Sequence, residues 1–121
     1  MKPLTKAEEQ VMQAVWSLRD GGMLKDIVEA MPEPRPHHNT VATMLKILAD
    51  KKYIGIKALG RFNHYYPRIL KEEFTEMTLN GLTRGYFEGS YQDMVSFMVD
   101  QKKLSVQDLE LLLKQLKTGK K

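Results

Sequence analysis

The 121-residue chain has no cysteine and no apolar run long enough to cross a membrane. Without cysteine there are no disulfides and no thiolate metal sites, a composition typical of cytosolic proteins. The N-terminus lacks the build of a signal peptide, and we expect no membrane insertion. The 42% hydrophobic residues are enough for one compact domain, or for a small domain with an oligomerisation unit. The sequence therefore predicts a cytoplasmic protein with an apolar core.

Histidine is scarce as well, and its positions argue against an enzyme. His37, His38 and His64 have no nearby cysteine or carboxylate pair at catalytic or ligand spacing. No glycine motif that cradles phosphate is present. We expect no catalytic residue, no metal site and no cofactor. His37 and His38 are interpreted as phosphate-side contacts or solvated loop residues, and His64 as a packed hairpin residue.

The positive charge of the chain lies in its first part. Residues 1–70 carry 11 Lys/Arg against 7 Asp/Glu, whereas residues 71–121 carry 8 of each, and the formal net charge is +4. Such a local excess indicates a polyanion partner, although a solvated charged face has the same composition. Between residues 46 and 68, Asp50 is the sole acid among six basic residues: Lys46, Lys51, Lys52, Lys57, Arg61 and Arg68.

The first half of the chain has the order of a helix-turn-helix. Thr5 and Glu8 form a capping-box pattern that predicts a helix ending near residues 20–22, with inward-facing Val11, Met12, Val15 and Trp16. A shorter helix is predicted over residues 24–31, followed by a proline-rich stop at 32–36. A third helix is predicted over residues 38–52, capped by Asn39 or Thr40.

The third helix has two distinct faces. One is an apolar stripe, and the opposite face starts with small hydrogen-bonding residues and continues into lysines. Amides and hydroxyls on such a face can reach base edges in the DNA major groove, and Lys can reach phosphates or guanine. An ordinary amphipathic surface helix is the alternative. The stripe consists of Val41, Met44, Leu45 and Leu48, and the polar face of Asn39, Thr43, Lys46 and Asp50.

A β-hairpin is predicted directly after this helix. Residues 53–58 and 62–66 have strand character, and Leu59-Gly60-Arg61 forms the turn. A basic hairpin beside a recognition helix is the wing of a winged helix, where Arg61 can contact a phosphate or the minor groove. Residues 1–69 are thus predicted to be a winged-helix DNA-binding domain. The alternative function is a winged-helix protein-interaction module without specific DNA binding.

The remaining residues, 70–121, are predicted to form a helical dimerisation domain. Three short helices with apolar stripes bury little surface alone, so pairing with a second copy is the favoured interpretation. The alternatives are that these helices pack back on the first domain, or that the chain binds DNA as a monomer. The predicted dimerisation residues are Phe74, Met94, Met98, Leu109, Leu112, Leu113 and Leu116.

Several segments, taken together and in this order, resemble the penicillinase repressor family of bacterial winged-helix repressors. The resemblance extends over nearly the whole chain, although no single motif is highly specific. The segments are 4–8 (LTKAE), 15–16 (VW), 39–48 (NTVATMLKIL), 51–54 (KKYI), 60–61 (GR) with Tyr65 and Pro67, 97–99 (FMV), 104–105 (LS) and 108–109 (DL).

The resemblance implies a homodimer that binds an inverted-repeat operator at its own promoter and represses transcription. In the family the third helix reads the major groove, the wing touches the backbone, and the C-terminal helices hold the dimer. By this resemblance the base and phosphate contacts are Asn39, Thr40, Thr43 and Lys46, with Arg61 as the wing contact.

The resemblance also implies a route of inactivation. Family members are commonly cleaved at an Asn-Phe pair when a membrane sensor-protease detects β-lactams, which links the family to antibiotic resistance. The matching pair here is Ser96-Phe97, which departs from the pattern at its first residue. Copper-responsive relatives carry a C-terminal cysteine motif, and a chain without cysteine cannot sense in that way.

Overall fold

The computed structural model describes residues 2–117 and the side chains of residues 2–115. It confirms the predicted fold class, a mainly helical chain with a small hairpin wing followed by further helices. The described residues form two compact units, and the boundary lies between Phe74 and Thr75. In chain order the elements are α1 (Lys6–Ser17), β1 (Gly22–Met23), α2 (Leu24–Glu29), α3 (His38–Asp50), β2 (Ile54–Leu59), β3 (Phe62–Pro67), α4 (Lys71–Phe87), α5 (Tyr91–Asp100) and α6 (Val106–Lys117).

The first helix begins where its capping box predicts. The Thr5 hydroxyl accepts a hydrogen bond from the backbone N–H of Glu8 at 3.2 Å, and the Thr5 N–H donates to Glu8 Oε1 at 3.1 Å. Two N–H groups that a helix start leaves unpaired are thereby satisfied. Val11, Met12 and Val15 are buried, and the larger Trp16 is half-buried. The inward face predicted for α1 is confirmed.

The core of the first unit is shared by three helices and the base of the hairpin. Val41, Leu45 and Leu48 of α3 are fully buried, as the apolar stripe predicts. Burying each such side chain contributes roughly 1.5–3 kcal/mol to folding, so this stripe sets which face of α3 turns outward. The other core side chains are Val11, Met12, Ala14, Val15, Ile27, Val28, Met31, Tyr53, Ile54 and Tyr65.

The hairpin belongs to a three-stranded antiparallel sheet with the order β1-β3-β2. β2 pairs with β3 from Ile54–Pro67 at the base to Leu59–Phe62 at the tip. The short strand β1 was not predicted, because two residues carry no periodicity and their partners, Tyr65 and His64, lie more than 40 positions away.

An aromatic cluster closes the base of the wing. The Trp16 indole N–H donates to the carbonyl oxygen of Ile69 at 2.9 Å. The Phe74 ring lies 5.4 Å from the Trp16 ring and 6.0 Å from the Tyr53 ring, measured between centroids. Phe74 therefore packs against the core of the first unit. Its role in dimerisation stays a prediction, and its ring already has apolar partners within its own chain.

The second unit contains most of α4 together with α5 and α6. Ser90 caps α5 by accepting from the Asp93 N–H at 3.0 Å. Ser105 and Asp108 exchange two hydrogen bonds of 3.0 Å at the start of α6. Both helix starts were predicted from these serines. None of the helices in residues 2–117 is both long and apolar enough to span a membrane.

Candidate nucleic-acid interface

His37 caps α3, which differs from the prediction that Asn39 or Thr40 would do so. The His37 Nδ1 accepts the backbone N–H of Asn39 at 3.1 Å. The imidazole thus takes the role usually filled by a short oxygen-bearing side chain. His38, Asn39 and Thr40 consequently lie inside the first turn with exposed side chains. The cap prediction was wrong. Because His37 caps α3, the polar groups of Asn39 and Thr40 remain available to a ligand.

The predicted polar face of α3 is exposed along its length. Asn39, Thr43, Lys46 and Asp50, which make up this face, are all exposed, and so is Thr40. In residues 2–117 the side chains of Asn39 and Lys46 have no hydrogen-bond or ion-pair partner. Their amide and ammonium donors therefore remain free to bind an external acceptor.

Thr43 differs from its neighbours on this face. Its hydroxyl donates to the carbonyl oxygen of Asn39, four residues earlier, at 3.0 Å. The one hydroxyl proton is therefore used within the helix. What Thr43 offers outward is an acceptor oxygen and a methyl group.

The wing carries its predicted basic residue at the turn. Arg61 is exposed and follows Gly60, whose φ of 63° lies in the left-handed region. Lys57 is exposed on β2 and pairs in register with His64 of β3. The His64 Nε2 lies 2.9 Å from the carbonyl oxygen of Asp20, so His64 is a packed hairpin residue as predicted.

Lys51 does not belong to the exposed basic surface. Its Nζ donates to Glu8 Oε1 at 2.6 Å and to the carbonyl oxygen of Pro3 at 2.9 Å. Its hydrogen bond to Glu8 is the main cause that lowers the pKa of this carboxyl below its ordinary value of 4.5. The predicted basic cluster thus loses one member to an ion pair that joins the end of α3 to the start of α1.

The loop before α3 is fastened by an arginine that the sequence did not single out. Arg35 Nε donates to the carbonyl oxygen of Met31, and Arg35 Nη2 donates to that of Glu29, both at 3.1 Å. These carbonyls lie at the end of α2, where helices leave acceptors unpaired. Arg35 therefore ties the proline-rich loop to α2 and helps to set where α3 begins.

Exposed apolar side chains accompany the polar groups, and sequence reasoning missed them. Ile47 lies on the outer side of α3 with 36% of its surface exposed. At the wing tip, Leu59 and Phe62 face each other in register and are 48% and 62% exposed. The sequence assigned Leu59 to the turn, whereas the structure includes it in β2, and a strand pattern does not say that the tip extends beyond the core.

In the second unit, the side chains predicted for dimerisation are mostly exposed. Met98, Leu112 and Leu113 are exposed, and Met94 and Leu109 are half-buried. The side chain of Leu116 lies outside the described residues. Between α4 and α5 runs an apolar groove of about 800 Å³, lined by Leu79, Leu82, Tyr86, Phe87, Met94, Phe97 and Met98.

The pair predicted for regulatory cleavage lies within α5. Ser96 and Phe97 are both exposed, and the Phe97 ring lies 5.7 Å from the Phe87 ring. A protease needs an extended substrate, so cutting there requires α5 to open locally. As for metals, no group of three or more potential ligands occurs among the described residues.

The chain was compared with known proteins. A family model described as penicillinase repressor matches residues 4–118, nearly the whole chain. A search of curated proteins found no match.

Proposed function

The chain belongs to the penicillinase repressor family of DNA-binding transcriptional repressors, and from this premise we propose how it acts. It binds an inverted-repeat operator as a homodimer. In each protomer α3 enters the major groove, and the wing formed by β2 and β3 lies on the DNA backbone. We also propose that the protein acts in the cytoplasm, where its operator DNA would be.

The observation that carries this proposal is the outer face of α3. Asn39 and Lys46 keep all their donors free, and an exposed amide can bind adenine N6 and N7 in a bidentate manner. Lys46 can bind guanine or a phosphate. At 1.5 Å per residue these two side chains are about 10 Å apart along the helix, so α3 spans about three base pairs. We propose His38, exposed at the start of α3, as a further phosphate contact.

The charge of the first unit supports the same partner. Lys46, Lys52, Lys57 and Arg61 are exposed, and the nearby Asp50 is the one acid between residues 46 and 68. Neutralising phosphates with such residues releases counterions and gives salt-dependent affinity. In this arrangement Arg61, at the wing turn, contacts a phosphate or enters the minor groove.

The homodimer is proposed from the apolar surface of the second unit. Tyr86 is 78% exposed, and it lies with Leu82, Phe97 and Met98 along the groove between α4 and α5. Around Gly81 and Gly85 of α4 there is open space, so a neighbouring backbone can approach closely. An apolar surface of this kind is characteristic of a protein interface, and a second copy of the chain is its proposed occupant.

Dimerisation gives a route to release. Once one winged helix is bound, the second binding event is effectively intramolecular, which raises affinity without new contacts. Inactivating the second unit therefore lowers operator affinity without touching α3. We include proteolysis by a membrane sensor-protease at Ser96-Phe97 in this proposal, with local opening of α5 as its requirement.

Fluorescence anisotropy with the purified full chain tests the proposal. The labelled duplex comes from upstream of the protein's own gene, and a scrambled duplex is the control, at two salt concentrations. We expect tight, salt-sensitive binding that prefers the native duplex and saturates at two chains per site. Weak and equal binding to both duplexes would refute it and favour a winged-helix protein-interaction module instead.

A further inference from the structure

The outer face of α3 contains an apolar strip among its polar groups. Ile47 is four residues after Thr43 and seven after Thr40, so the three side chains lie along one side of the helix. Ile47 is 36% exposed, although Val41, Leu45 and Leu48 of the same helix are fully buried. A single exposed isoleucine needs no explanation. The position of Ile47, in line with two threonines and beside Asn39 and Lys46, does call for an explanation.

Thr43 contributes to this strip through its methyl group. Its hydroxyl proton is held by the Asn39 carbonyl oxygen at 3.0 Å, so Thr43 has no donor left for a base. The methyl group is the apolar part of Thr43, and it can contact a ligand without breaking this hydrogen bond. Together with the Ile47 side chain it gives α3 an exposed apolar edge next to free polar donors.

In the DNA major groove, thymine is the base that presents an apolar group. Its C5 methyl distinguishes it from cytosine, and side chains such as the threonine methyl read it by apolar contact. We propose that the Thr43–Ile47 strip selects operators with thymine methyl groups facing α3, with Ile47 as a specificity-determining residue. The inference rests on the proposed DNA-binding function and specifies what its recognition helix reads.

Replacing thymine by deoxyuridine tests this inference, because the exchange removes the methyl and keeps every hydrogen-bonding group. Each thymine of the bound upstream duplex is replaced in turn, and full-length protein is titrated by anisotropy. Losing one buried methyl changes an equilibrium constant by about fourfold. For the wild type we expect about this loss of affinity at one or two positions per half-site.

The Ile47→Ala variant links the effect to the residue. We expect it to bind the unmodified duplex more weakly and to show a clearly smaller deoxyuridine penalty at a position that is sensitive in the wild type. The matched control is Ile56→Ala, the same change at a 43% exposed isoleucine of β2. It is expected to keep the full penalty. Circular dichroism melting of each variant checks that the fold is retained.

The outcomes separate this inference from the proposed function. Specific binding of the unmodified duplex, with no deoxyuridine position that costs affinity, would overturn the inference and leave the repressor function standing. An equal penalty in wild type and Ile47→Ala would also overturn it, because another residue would then read the methyl. If the wild type does not prefer the unmodified upstream duplex to the scrambled duplex, both the inference and the proposed function are overturned.

Discussion

At the residue scale, some lysines of this protein are exposed and free to bind DNA, whereas others are held by partners within the chain. Lys46 is exposed on α3, whereas Lys51, five positions later, is held by Glu8 Oε1 at 2.6 Å. The sequence places both in one basic cluster, because the pairing of Lys51 spans 43 positions and leaves no local signature. Which lysines can meet DNA is therefore decided by tertiary structure.

The first residue-scale prediction concerns the salt dependence of DNA binding. Lys46→Ala and Arg61→Ala should each reduce the slope of log affinity against log salt concentration by about 0.9, because each removes one phosphate contact. Anisotropy titrations over several salt concentrations measure the slope. Lys103→Ala is the control, since it removes the same charge from an exposed site in the second unit. An unchanged slope in either test variant would show that this residue does not neutralise a phosphate.

A second prediction concerns the ion pair between buried Glu8 and half-buried Lys51. The Lys51 hydrogen bond lowers the pKa of Glu8, so the pair stabilises the fold above the ordinary pKa of 4.5 and is lost as pH falls through the lowered value. Glu8→Gln keeps an acceptor for the Thr5 N–H but removes the charge. We expect it to lower the free energy of unfolding at pH 7 by about 1–3 kcal/mol.

The same variant changes the pH profile. Below pH 4.5 the difference between wild type and Glu8→Gln should shrink, because protonated Glu8 is also neutral. Urea denaturation from pH 7 to pH 3 measures both effects. Glu9→Gln, one position along the same first turn, controls for losing a negative charge near the start of α1. If the difference in unfolding free energy between wild type and Glu8→Gln stays constant from pH 7 to pH 3, the ion pair with Lys51 is not its cause.

At the element scale, the sequence predicted elements that are set by neighbouring residues and missed those that depend on residues far along the chain. Thr5 with Glu8, Ser90 and Ser105 each predicted a helix start within three residues, because capping involves only adjacent backbone. The cap of α3 was missed, since a histidine takes the role of the usual serine or asparagine. Strand β1 was missed because it exists only by pairing with β3.

The close approach of β1 and β3 gives a prediction for the sheet. A Cβ at Gly21 would collide with the carbonyl oxygen of Tyr65, and its φ is 83°. Gly21→Ala should therefore lower the free energy of unfolding by more than about 3 kcal/mol, because overpacking adds to the backbone strain. Gly60→Ala is the control, with a φ of 63° but open space around it, and should cost about 1–2 kcal/mol. Equal losses in urea denaturation would show that the collision is relieved cheaply.

At the scale of the whole molecule, the first unit has a closed core and the second exposes much of its apolar surface. Val11, Leu45 and Leu48 are fully buried, whereas Leu111, Leu112 and Leu113 of α6 are 49–59% exposed. The helical stripes of the second unit could be predicted from the sequence. Whether a stripe meets its own chain or a second copy is not encoded in periodicity, and for this reason dimerisation is a proposal.

Two neighbouring leucines test the dimer. Leu113 lies on the predicted stripe of α6, and Leu111 lies about 160° away around the helix. Leu113→Asp should weaken the dimer, because it buries a charge in the interface, whereas Leu111→Asp should not. Sedimentation equilibrium should give twice the 14.0 kDa chain mass for wild type and Leu111→Asp, and a lower mass for Leu113→Asp. A wild-type mass of one chain would contradict the homodimer.

The central claim is that two copies of α3 bind one operator at a fixed spacing, and hydroxyl-radical footprinting of the upstream DNA tests it most directly. With full-length protein we expect two equivalent protected segments related by a two-fold axis, with centres 10–10.5 base pairs or a multiple apart. With the Leu113→Asp variant in place of the wild type, protection of both segments should weaken together. A single protected segment, or uniform weak protection along the duplex, would contradict the account.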